Sequence, residues 1–291
     1  MTQSPDQLEL ELCLRWWEGH STLSLDSNPF HWKQGWEVAP VDRPTAASFI
    51  SNHHYLKTLP VNRRRFGLYN RLGRLTGLAV YGVPLNYAAF TPLGCANDEA
   101  LELCRLVLLD DTHGIARVPC NGESAFVARC HHMLRREGFA GVISYSDPLK
   151  RMTTDGREIT PGHVGIVYQA LSAVYLGTSR PGTLRLLPDG QAFHHRSAQK
   201  VRGSERNWQS AIRQLQNHGA GPLRGDPALW LKEWIPKITR AVAHPGQHKY
   251  AFALHPAVRR SLPNFNPHSY PTPPQGRRPA QYGRHRLPDP I

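Results

Sequence analysis

The chain has 291 residues, 40% of them hydrophobic, and carries 35 Lys and Arg against 22 Asp and Glu, a formal net charge of +13 with its 16 histidines taken as neutral. That is apolar content enough for one large or two small cored domains, and the basic excess points to a polyanionic partner, nucleic acid above all. Five scattered cysteines with no CxxC pair read as reduced cytoplasmic thiols and not as a disulfide framework or zinc knuckle, and the N-terminus without a leader pattern and the lack of a bilayer-length apolar run lead to the expectation of a chain that is neither secreted nor membrane-inserted.

Residues 1–43 are aromatic and turn-rich and read as an elaboration on the core. "RPTAASFISNHHYL" has Pro44 in a first helical turn and apolar residues at Ala46, Phe49 and Ile50, predicting a helix that runs out near Asn52. Phe66 to Tyr69 and Leu75 to Tyr81 flank a Gly-containing turn and predict a hairpin. "LELCRLVLLDD" reads as a strand. "SAFVARCHHMLRREGF" places Phe126, Val127, Cys130, Met133 and Leu134 on one helical face before a Gly138 stop.

"VISYSDPLK" follows as a strand ending at Asp147, and Val167 to Leu176 reads as a helix ending at Gly177. The "PDG" of "TLRLLPDGQAFHHRS" marks a hairpin turn, "SERNWQSAIRQLQNHG" a helix opening at Ser204 and closing at Gly219, and "HKYAFAL" a strand. From 256 to 291 there are nine prolines, six Lys and Arg and one acid, a composition that predicts a disordered tail serving as a non-specific DNA arm. The order suits a mixed α/β sheet, with one catalytic domain over 44–255.

Four stretches are unusually polar for core elements: "NHHY" (52–55), "CRL" (104–106), "SYSD" (144–147) and "GHVGIVYQA" (162–170). Ligands of open α/β sheets gather at the carboxyl ends of strands, where Asp147 falls. Each residue also has a structural reading. Asp147 before Pro148 starts turns, His54 caps a helix C-terminus as a cation, and Tyr168 is a core aromatic. Arg105, mid-strand between leucines, demands a carboxylate, a phosphate or a ligand. His54, Asp147 and His163 would make a two-histidine, one-carboxylate face suited to ferrous iron. "NRRRF", "HMLRR" and "KVRGSER" are candidates to hold phosphates.

Together these stretches, with the "FGLY…GRLTGLAVYGVP" hairpin, "HHRSA" and "HKYAFAL", resemble the Mom family of phage DNA modification proteins over roughly residues 44 to 255. The resemblance implies a GNAT (acetyltransferase)-like α/β fold, a mixed central sheet flanked by helices. It implies conversion of adenine in double-stranded DNA to N6-carbamoylmethyladenine, which protects phage DNA from host restriction in the host cytoplasm. It also implies a bound iron and functional roles for His54, Tyr55, Arg105, Ser124, Asp147 and Tyr168, and, with a duplex adenine as target, Tyr55, Tyr81 and Tyr168 become candidates to stack a flipped base.

Two departures bear on mechanism. A polar insert separates Asp147 from His163. No Q/R-x-x-G-x-G/A pyrophosphate loop precedes Ser124, so coenzyme A is not the expected donor and the acyl or glycyl donor stays open. Asp147 or His54 would serve as base or metal ligand, with Arg105 holding a carboxylate or orienting Asp147. The competing readings are an ordinary GNAT N-acetyltransferase of a small amine or protein, and a non-enzymatic DNA-binding protein.

Overall fold

The computed structural model describes residues 30–109, 118–119, 121–160, 162–262 and 268–272. They form β1 (Glu37–Pro40), α1 (Arg43–His53), β2 (Asn62–Tyr69), β3 (Leu75–Gly82), β4 (Ala100–Leu108), α2 (Gly122–Arg136), β5 (Gly141–Ser146), β6 (Arg151–Met152), β7 (Glu158–Thr160) and α3 (Ile166–Ala170). There follow β8 (Val174–Thr178), β9 (Gly182–Leu186), β10 (Ala192–Phe193), α4 (His195–Arg202), α5 (Gln209–Gln216), α6 (Pro227–Ile238), β11 (Arg240–His244), β12 (His248–Ala253) and α7 (Pro256–Ser261). No described helix is long and apolar enough to cross a membrane.

The described residues group into two compact units. One compact unit comprises residues 1–145, 163–177 and 249–291, the other 146–162 and 178–248. A seven-stranded sheet runs β1-β2-β3-β4-β5-β12-β8. Its first four strands are antiparallel neighbours and β4 pairs β5 in parallel, so the sheet is mixed, as expected. The parallel ladder covers only Ala100–Leu103 against Gly141–Ser144, although β4 continues to Leu108 and β5 to Ser146. The two strands therefore part at Cys104 and Tyr145.

Helix α1 forms because Asp42 caps it, accepting the Thr45 N–H at 2.9 Å, with Pro44 preset for the first turn. It buries Ala46, Phe49 and Ile50 against Leu78 and Val80 on one face of the sheet. Helix α2 buries Phe126, Val127, Cys130 and Leu134 among Phe66, Ala79, Tyr81, Leu101 and Leu103 on the other, each large side chain contributing roughly 1.5–3 kcal/mol of burial.

Two expectations along this unit are corrected. The helix expected over Val167–Leu176 stops at Ala170. Ser172 turns to φ 56° and β8 follows, where Tyr175 is buried. The stretch from 256, expected to be a disordered tail, opens with ordered residues. Helix α7 buries Val258, Ser261 donates to the Leu93 carbonyl at 3.2 Å, and the Tyr270 hydroxyl donates to the Ala173 carbonyl at 2.7 Å. Residues 273–291 and 1–29 lie outside the described residues.

The second unit has its own core. A three-stranded sheet, β10-β9-β11, accompanies helices α4 to α6, with Phe193, Ala198, Val201, Ile212, Leu215, Trp230 and Leu231 buried together. The helix expected from Ser204 starts at Gln209, because Ser204 and Asn207 both take positive φ in the preceding turn.

Candidate active site

The site residues of the sheet unit meet where β4 and β5 part. A bulge prepares the place. Tyr81 faces Leu103 and Val80 faces Arg105, so Cys104 is an extra residue in β4. Before it Leu101 and Leu103 point into the α2-side core; after it Leu106 and Leu108 do. Glu102, Cys104 and Arg105 consequently share the opposite face, the one that carries α1. Re-aiming a side chain in this way is a recurrent use of bulges beside active sites.

The end of α1 delivers two further side chains. His54 leaves the helix at φ −107° and ψ 141°, and its buried ring stacks on Tyr55 with centroids 4.3 Å apart. Its Nδ1 accepts the Leu56 N–H at 2.9 Å, which leaves the ring proton on Nε2. Burial, then the nearby Arg105 charge, pushes the His54 pKa down to about 3. The imidazole is thus a neutral N–H donor, and the expectation of a cationic helix cap is corrected.

Arg105 donates from Nη1 to the Cys104 carbonyl at 2.7 Å, while its Nε is buried without a partner. It forms no ion pair with a described residue, and burial lowers its pKa against the opposing pull of Tyr55, Cys104 and Glu102. Burial raises the Glu102 pKa to about 6, against the attraction of Arg105. Burial likewise pushes the Cys104 thiol up to about 12, so it is no thiolate nucleophile near neutrality.

Tyr168 reaches the same place from α3. Its ring packs among Tyr250 and Phe252, and burial raises its pKa to about 12 against the opposing pull of Ser144, with Tyr55, Glu102 and Cys104 adding to the rise. Ser144 in turn donates to the Leu103 carbonyl at 3.2 Å, at the last pair of the parallel ladder. The His163 ring lies 6.5 Å from that of Tyr168 and adds to the field at His54.

His54, Tyr55, Arg105, Tyr168 and His163 are therefore brought together. Ser124 is not, since its hydroxyl donates to the Asn121 carbonyl in the first turn of α2. Tyr81 is fully buried beside Phe66 and His131 and is not open to stack on a base.

Asp147 belongs to the second unit. There Oδ1 accepts the Leu149 N–H at 2.9 Å and the Nε2–H of His244 at 3.0 Å, and Oδ2 pairs with Arg151. The His244 tautomer follows from its Nδ1, which accepts the Gly246 N–H at 3.0 Å. Burial raises the Asp147 pKa, but Arg151, the Leu149 amide and His244 outweigh it and hold the carboxyl below its ordinary value. Asp147 is an ionised anchor of the turn it starts.

Among the described residues no three His, Cys, Asp or Glu side chains are grouped to hold a metal ion. Both oxygens of Asp147 are engaged, and Nδ1 of His54 and of His163 each accept a backbone N–H. The iron face expected from His54, Asp147 and His163 does not fit this arrangement, and no chemical step is derived through it.

The model of the Mom protein family matches residues 35–272. The chain belongs to the Mom protein family. Membership makes it a DNA-modification protein of the Mom type. No curated protein matches it. Solved structures that resemble it are acetyltransferases. A GNAT family N-acetyltransferase from Escherichia coli is 11% identical over 40% of this chain and 64% of that one, with a TM-score of 0.29, so this chain spans under two thirds of that protein's length. An N-acetyltransferase from Staphylococcus aureus is 10% identical over 76% and 99% of the two chains, with a TM-score of 0.34. A spermidine/spermine N-acetyltransferase from Vibrio cholerae is 9% identical over 79% and 99%, with a TM-score of 0.36.

Glu102, Cys104 and Ser144 are site residues that their sequence context did not single out. Glu102 sits three residues before Arg105 in a strand otherwise rich in leucine, which was the available signal.

Proposed function

We propose that the chain converts adenine in double-stranded DNA to N6-carbamoylmethyladenine and acts in the cytoplasm of a phage-infected host, protecting phage DNA from restriction. The observation that carries this reading is the convergence of Glu102, Arg105, His54, Tyr55 and Tyr168 at the splay of β4 and β5 in a Mom family chain.

The target amine is stacked in the duplex, so the base is flipped, and the half-buried Tyr55, stacked on His54, is the aromatic against which it rests. As a carbon joins N6, one N6–H bond is given up and its proton needs an acceptor, while the donor's leaving group departs with the electrons of its bond. Glu102, with a pKa near 6, takes that proton, since a base works best when its pKa lies close to the operating pH. Arg105, which forms no ion pair with a described residue, and the Nε2–H of His54 hold the donor's carbonyl or carboxylate oxygen.

Coenzyme A is not proposed as the donor. The first turn of α2, where a pyrophosphate would sit, holds the buried carboxylate of Glu123, and Val118 closes on Gly122 so that a Cβ there would lie 2.2 Å from its Cγ1. A negative charge in that turn opposes an anionic ligand. The test is to express the chain, digest the host DNA to nucleosides and analyse them by mass spectrometry. The carbamoylmethyl adduct of deoxyadenosine is expected, and unmodified deoxyadenosine alone beside soluble protein would overturn the reading.

A further inference from the structure

We infer that the α4–turn–α5 segment of the second unit is the principal phosphate grip on duplex DNA, an inference that rests on DNA being the substrate. The net charge is unevenly placed. Residues 178–248 hold eleven Lys and Arg against four Asp and Glu, and within them "RSAQKVRGSERNWQSAIR" (196–213) holds five against one.

Whether a cation is available depends on what it already touches. In "NRRRF", Arg63 donates to the Asp98 carbonyl at 3.0 Å, Arg64 pairs with Glu137, and Arg65 bonds the Val41 carbonyl and Asn62. These side chains are engaged in holding β2 to its neighbours. In the second unit Lys200, Arg202, Arg206 and Arg213 make no ion pair or side-chain hydrogen bond with any described residue. Arg202, Arg206 and Arg213 are exposed and Lys200 is half-buried. Ala198 and Val201 are the buried residues of α4, which turns Lys200 outward, and Ala211, Ile212 and Leu215 do the same for Arg213 on α5.

The turn that joins the helices is held in one shape. Ser204 and Asn207 take φ of 49° and 64°, the Glu205 N–H donates to the Lys200 carbonyl at 2.9 Å, and Glu205 receives a two-pronged bond from Arg196 at 3.0 and 2.6 Å. Free cations on a prefolded scaffold lose little entropy when they meet phosphates. Exposed Gln199 and Gln209 add neutral donors of the kind that contact a DNA backbone. Helix α4 presents no exposed apolar face, so the chemistry matches a polyanion rather than a lipid surface.

The test is fluorescence anisotropy of a labelled duplex with the full chain across a salt series. Removing one cation that neutralises a phosphate lowers the slope of log affinity against log salt by about 1. Lys200→Ala with Arg202→Ala is expected to lower it by about 2, Arg206→Ala with Arg213→Ala by about 2, and the quadruple variant by about 4, equally for any DNA sequence. Arg64→Ala is expected to leave the slope where it is. Circular dichroism checks folding, and the two pairwise variants keep the test sharp if the quadruple one unfolds. Unchanged slopes in both pairwise variants, a slope that falls on Arg64→Ala instead, or no duplex binding by the wild-type chain would each overturn the inference. Nucleoside analysis separates this from the proposed chemistry: modified DNA with unmoved slopes sinks the grip alone, and moved slopes with unmodified DNA sink the chemistry alone.

Discussion

Glu102→Gln should make the protein more stable and nearly inactive at the same time. Burial raises the carboxyl pKa from 4.5 to about 6, so the folded state binds this proton more tightly than the unfolded chain does. The group's contribution is then favourable below pH 4.5, and is lost as pH rises through 6. The shift corresponds to about 2 kcal/mol above that range. A neutral amide of the same shape escapes this cost, so Glu102→Gln is expected to gain up to about 2 kcal/mol at pH 8 and almost nothing at pH 4, read from denaturant midpoints at the two pH values. Activity runs the other way. With a pKa of about 6, the base form is about one tenth of the population at pH 5 and about nine tenths at pH 7. The wild-type rate should rise about ninefold over that interval, and the variant should lose this limb together with roughly a hundred- to ten-thousandfold in rate. A variant that keeps the acid limb, or one destabilised at pH 8, would refute the assignment of Glu102 as a desolvated base.

Arg105→Met is expected to lower kcat/KM by roughly ten- to a hundredfold, the worth of about 1.5–3 kcal/mol for charge-assisted bonds, and to raise the His54 pKa from about 3, which the imidazole NMR titration reads. Asp147→Asn leaves Arg151 buried and uncompensated and should cost about 3–5 kcal/mol in thermal or denaturant melts, whereas Asp147→Leu with Arg151→Met should cost much less. Because the Asp147 carboxyl is held below its ordinary value of 3.8, the wild-type contribution is present above that pH and is lost as pH falls through the lowered value, so an acid titration that shows it vanishing between pH 5 and 6 contradicts the pairing. Asp42→Ala removes the α1 cap and should cost about 1 kcal/mol, with His54 and Tyr55 showing faster local hydrogen exchange.

Hydrophobic spacing made α1, α2 and the β2–β3 hairpin legible, because each buries a single continuous face whose period matches its geometry. The α3–β8 stretch was not, since "VYQALSAVYLG" serves either period and only the φ of 56° at Ser172, a tertiary outcome, divides it. Helices α4 and α6 also escaped: the first is eight residues of mostly polar side chains, and the second carries Pro236 inside it. The site follows the same division. His54, Arg105 and Tyr168 could be singled out because they are polar in apolar runs. Glu102 owes its raised pKa to burial, and its place beside Arg105 to a bulge at Cys104, neither of which composition encodes.

Asp147 is the converse case. Its position at a strand end before proline suits a catalytic carboxylate and an Asx turn equally well. What separates the two is whether its oxygens have donors of their own. With Leu149, Arg151 and His244 all on it, the carboxylate is held ionised and fully bonded, whereas Glu102 has only the attraction of Arg105 to set against desolvation. A proton acceptor must keep a lone pair open and a pKa within reach of its task, and by that criterion Glu102 on β4, not Asp147, is the base that the proposed reaction calls for.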